Sequence, residues 1–100
     1  MRLTEKKAHD IMRRAEGAEQ FFSKDGVVFA GLTELSDGIK TMTQDVFNFH
    51  CNSQKCDFAS WIADILHDDV LAGTLVKAKG VRKTIESHIA KRVDQLAKYK

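Results

Sequence analysis

Between residues 58 and 66 the apolar side chains Phe58, Trp61, Ile62, Ile65 and Leu66 fall at i, i+3, i+4, i+7 and i+8, the repeat of a single α-helical face. A chain with such a stripe must supply other elements to cover it. Asp57 stands at the start of this helix, where the dipole favours a carboxylate, and Asp64 lies on the polar side. A second stripe, Val81, Ile85, Ile89, Val93 and Leu96, predicts a long amphipathic helix over about residues 81–98. It falls short of sustained heptads, so docking on the preceding helices is expected rather than a coiled coil.

One hundred residues suit one core, so residues 1–100 are read as a single domain. With 43% hydrophobic residues, 30% charged residues and no proline, the chain is far from the composition of disorder and leans toward helix. Folding must offset roughly 1–2 kcal/mol of backbone entropy per residue, so nearly every apolar stripe has to be core.

The other elements follow from caps and spacing. Thr4 caps a helix over about residues 4–19 carrying Ala8, Ile11, Met12, Ala15 and Ala18. A β-hairpin is predicted at about residues 21–30, turning at Asp25-Gly26; as a two-residue type I′ turn this sets Phe22 opposite Phe29. Thr33 caps a helix with Leu35, Ile39 and Met42, and Thr43 caps another with Val46, Phe47 and His50. Residues 52–55 form a polar loop, and Asp68 caps a helix with Val70, Leu71 and Leu75 that Gly80 closes. The expected fold is mainly α, with five to six helices and one short hairpin. Its core should include Leu35, Ile39, Phe47, Phe58, Trp61, Ile62, Ile65, Leu71, Ile85, Ile89 and Val93.

Charge and cysteine content narrow the function classes. The net charge is only +2, yet residues 77–100 hold eight Lys and Arg against Glu86 and Asp94. Asp57, Asp64, Asp68 and Asp69 occupy a stretch with no Lys or Arg, so pairing between the two segments is expected. Two cysteines, Cys51 and Cys56, are too few for a disulfide scaffold and point to a reducing cytoplasm. No window reaches the length of a membrane span and the first residues lack a signal-peptide run, so a soluble cytoplasmic protein without a membrane partner is expected.

The series Phe22, Asp25-Gly26, Leu32, Glu34-Leu35, Ile39, Met42, Phe47-x-x-His50, Asp57-Phe58-Ala59-x-Trp61-Ile62, Asp64, Asp68 and Leu71-Ala72 resembles a family of small archaeal and bacterial domains of unknown function. The likeness covers roughly residues 21–76. It is carried best by Phe47-Asn48-Phe49-His50 followed by Asp57-Phe58-Ala59-Ser60-Trp61-Ile62, where His and Trp fall at the family's places. The resemblance implies no particular reaction. Such domains stand alone or beside others, sugar-active enzymes among them, which implies an accessory role in a prokaryotic cell. Where the family reads Arg-Asn-Asp-Phe this chain has Lys55-Cys56-Asp57-Phe58, and the family pattern has no cysteine at position 51 or 56.

Four constellations bear on chemistry. His50, Cys51, Cys56 and His67 are metal-ligand types, but neither Cys51-x4-Cys56 nor the adjacent His50-Cys51 matches zinc-ligand spacing, so no metal is expected. Neither thiol has the acid partner or oxyanion motif of a catalytic nucleophile. His50, Asp57, Trp61 and Asp64 support two readings: Asp57 caps its helix, Trp61 fills the core and His50 bonds a backbone carbonyl, or the four line a shallow site for a sugar, a cationic group or a protein. Arg82, Lys83, Lys91 and Arg92 on the last helix offer a weak, non-specific nucleic-acid surface. No phosphate-binding glycine loop, nucleophile elbow or cofactor motif is present, and no catalytic residue is assigned. The reading is a non-enzymatic binding or interaction module, a monomer or weak homodimer, with nucleic-acid binding as the alternative.

Overall fold

In the computed structural model, which describes residues 3–99, six α-helices and a two-stranded antiparallel hairpin enclose one apolar cluster. Thr4 caps α1 (Glu5–Ile11) by accepting the Lys7 N–H at 3.2 Å. The helix stops there rather than reaching residue 19. Ala15, buried and outside the helix, donates its N–H to the Ala30 carbonyl at 2.6 Å, a tertiary bond that a continuing helix would forbid. A single 3-10 turn, Gly17–Glu19, leads into β1 (Phe21–Phe22) and β2 (Val28–Phe29).

The hairpin forms where expected but in a different register: Phe21 pairs with Phe29, and Phe22 with Val28. The turn explains the slip. The Gly26 N–H bonds the Ser23 carbonyl at 3.0 Å, the Ser23 N–H bonds the Val27 carbonyl at 2.9 Å, and only Gly26 has a positive φ (90°). This is the three-residue loop with glycine in the left-handed position, one residue longer than the type I′ turn. Because side chains alternate, Phe21 and Phe29 face the core while Phe22 and Val28 face outward.

Gly31, not Thr33, is the N-cap of α2 (Leu32–Thr41), whose Leu35 and Ile39 are fully buried. Thr43 caps α3 (Gln44–His50) through the Val46 N–H at 3.2 Å. After the 52–55 loop, Cys56 takes the N-cap position and Asp57 the first helical position of α4 (Asp57–Trp61), so Asp57 is not the cap. The helix continues as a wide π turn, Ile62–Leu66, and ends at His67 in the left-handed conformation (φ 62°). The Asp68 N–H reaches back to the Ile62 carbonyl at 3.2 Å, closing the terminus. Widening the turn carries Leu66 into the core and leaves Ile65 half-buried, correcting its place in the expected core. The Ile65 carbonyl accepts Arg13 Nη2 at 2.6 Å.

Asp68 caps α5 (Asp69–Lys77) by accepting the Leu71 N–H at 3.2 Å. Gly80 (φ 80°) then turns the chain into α6 (Arg82–Ala97), which packs on α2 and α5 through Ile85, Ile89 and Leu96. Val93 is half-buried and Val81 exposed, so this stripe is narrower at its ends than its spacing implies. No helix among the described residues is long and apolar enough to cross a membrane.

Candidate functional site

His50, the last residue of α3, is buried, and both ring nitrogens are occupied. Nε2 accepts the Lys24 backbone N–H at 3.0 Å, so the proton belongs on Nδ1, which donates to Asp57 Oδ2 at 3.1 Å. The imidazole therefore ties the hairpin loop to the start of α4. Its ring lies 5.1 Å from that of Phe21 and 5.7 Å from that of Phe58, among the aromatic side chains of the core.

The same Asp57 oxygen holds Lys55 Nζ at 3.1 Å, and Asp57 is part-exposed. Lys55 Nζ also lies 5.0 Å from the Phe49 ring centroid, and Lys24 Nζ lies 4.4 Å from it. Phe49 is 47% exposed, and the outward-facing Phe22 is 59% exposed. Two lysines, an exposed aromatic ring and a shared carboxylate thus gather beside the hairpin loop. Lys24 did not stand out in the sequence, and Phe49 and Lys55 entered only as members of the family pattern and of its departure, not as site residues; the place of Phe49 on α3, opposite buried Phe47, is the available signal.

Trp61 is buried, and its indole N–H donates to the Glu19 carbonyl at 2.8 Å, pinning the loop before the hairpin. It presents no open aromatic face. Asp64 is exposed on the π turn, and its carboxylate makes no hydrogen bond or ion pair among the described residues. Of the four residues singled out by spacing, His50 and Asp57 are joined directly, Trp61 belongs to the core, and Asp64 stands apart on the surface.

The cations of α6 divide in the same way. Arg82 lies over the Phe47 ring, donates through Nη2 to the Ile39 and Met42 carbonyls at 2.5 and 2.7 Å, and pairs with Glu86 at 3.3 Å. Arg92 grips buried Asp68. Lys83 and Lys91 are exposed. Both arginines are thus held by the fold: Arg92 with Asp68 is a pair of the kind expected between the acidic and basic segments, whereas the carbonyls that hold Arg82 lie outside both.

Cys51 and Cys56 are free thiols on opposite sides of an antiparallel bridge, with their sulfurs 2.6 Å apart. His67 sits at the far end of the α4 helix, and no group of three or more His, Cys, Asp or Glu side chains among the described residues is placed to hold a metal ion. Comparison with family models, curated proteins and solved structures finds no match.

Proposed function

We propose that this is a small cytosolic, non-enzymatic binding module whose protein partner engages the face around Asp57, Lys55, Lys24 and Phe49, extended by the outer side of the hairpin at Phe22 and Val28. The supporting observation is the exposure of two phenylalanines, one on that hairpin face and one held between lysines beside the His50–Asp57 bond. Large exposed aromatics next to polar groups are the composition of interface centres. The resemblance over residues 21–76 joins this reading as that of an accessory domain without a reaction of its own. The nucleic-acid alternative is the weaker of the two, because the fold already occupies two of its four cations.

The test is site-specific photo-cross-linking in cells, with a photoreactive phenylalanine analogue at Phe22, Phe49 or exposed Val76. Positions 22 and 49 should give the same discrete adduct, lost with K24E/K55E, and position 76 none. No adduct, or the same adduct from all three positions, would overturn the reading.

A further inference from the structure

We propose that Cys51 and Cys56 are a reversible dithiol–disulfide pair, oxidised by a low-molecular-weight disulfide, in which Cys56 reacts first and Cys51 resolves. The backbone carries the argument. The two residues face each other across an antiparallel bridge, and the Asn52 N–H to Lys55 carbonyl bond (2.8 Å) flanks the pair instead of joining it. Such non-hydrogen-bonded pairs have the closer approach, about 4.5 Å between Cα atoms, within the span a disulfide bridges. The sulfurs already lie 2.6 Å apart, well inside the ~3.5–4 Å of an ordinary non-bonded contact. These are the chain's only two cysteines, so no third thiol competes.

The two sulfurs are not equivalent. Cys51 is fully buried, whereas Cys56 is half-buried and lines a surface cleft of about 360 Å³ together with Lys55, Lys79 and Gly80. An attacking reagent reaches Cys56 through that cleft, and its lysines favour an anionic one. The hydrogen bond from Cys51, helped by the N–H groups of Ala59 and Phe58, holds the Cys56 thiol below the ordinary range against the opposing effect of burial. The same sulfur contact, then burial, raises Cys51. The pair is therefore polarised as an attacking thiol and a protonated reserve.

The exchange balances. The Cys56 thiolate attacks one sulfur of the small disulfide, whose S–S bond breaks to release one thiolate and leave a mixed disulfide on Cys56. Cys51 gives its proton to that released thiolate and attacks Cys56 Sγ, expelling the second small thiol, which takes up the proton lost when Cys56 ionised. One small disulfide is reduced to two thiols, and the protein dithiol is oxidised to a disulfide.

The experiment incubates the whole folded protein in glutathione buffers of graded oxidised-to-reduced ratio at pH 7, followed by acid quench, alkylation and intact mass measurement. The wild type should convert to a monomer lacking two hydrogens and bearing no adduct, and should return to the dithiol in excess reduced glutathione. C51S should accumulate a single glutathione adduct on Cys56. C56S should react at least tenfold more slowly, and circular dichroism should show both variants folded. A wild type that stays a dithiol in the most oxidising buffer, or that ends as glutathione adducts or intermolecular dimers, would overturn the proposal. Faster adduct formation in C56S than in C51S would overturn the assignment of Cys56 as the sulfur that reacts first.

Discussion

Arg92 holds Asp68 by two parallel hydrogen bonds, Nε to Oδ2 at 2.7 Å and Nη2 to Oδ1 at 2.9 Å, with the carboxylate almost wholly out of solvent. The same carboxylate caps α5, so one side chain joins the end of the π turn, the start of α5 and the middle of α6. Removing only the arginine leaves a buried carboxylate without its counter-charge, which costs about 3–5 kcal/mol. R92L should lose that much in urea denaturation, and D68N/R92L distinctly less than the sum of the two single changes. Additive losses would mean that the pair is not coupled.

Gly80 and Gly73 should respond to alanine with opposite signs. At Gly80, φ is 80° and a Cβ would stand 2.5 Å from the Asn52 carbonyl carbon, a backbone atom that cannot move aside. G80A should therefore destabilise by about 2 kcal/mol or more. Gly73 lies within α5 with open space where its Cβ would be, so G73A should stabilise by about 0.5–1 kcal/mol. Thermal or urea unfolding of the two variants decides the matter.

Glu34 supplies a pH dependence. Its carboxylate accepts the Ala30 N–H at 2.9 Å and pairs with Arg14, and these two bonds, the backbone one first, hold its carboxyl below the ordinary value of 4.5. A depressed folded value means that the stabilisation is complete above the unfolded value and is lost as pH falls through the folded one. The stability difference between wild type and E34Q should be constant above about pH 5.5 and shrink toward zero below about pH 4. Because the side chain is more than a third exposed, solvent screening keeps the difference under about 1 kcal/mol. A difference that grows on acidification would contradict the assignment.

The parts of the fold legible in the sequence are those set by local pattern. Helical spacing placed Leu35, Ile39, Phe47, Phe58, Ile62, Ile85 and Ile89 in the core, and the side chains of Thr4, Thr43 and Asp68 cap the helices they precede. What escaped was decided by distant partners. The Ala15–Ala30 bond ends α1 eight residues short of residue 19, and Asp25-Gly26 suits either loop length, so the hairpin register could not be read from the dipeptide. At the candidate site, a separation of seven positions allowed His50 to approach Asp57 across the loop, and they stand 3.1 Å apart. Helical spacing also grouped Trp61 with Asp64, but it carries no information on the Glu19 carbonyl that receives the indole. The same holds for Arg82, whose Ile39 and Met42 acceptors lie on and just after α2, whereas Arg92 with Asp68 meets the pairing expected from the charge pattern.

The π turn at Ile62–Leu66 makes chain length negotiable at one point in the molecule. A wide turn holds one residue more than the α-helix needs, so dropping a residue within it restores ordinary helical bonding. The segment beyond keeps its phase, with Asp68 still beneath Arg92. The same deletion inside α6 would rotate everything after it by about 100° and turn Ile89 or Leu96 toward solvent. Compared with α6, the helical stretch ending at His67 is therefore where a single-codon loss can pass without dismantling the core.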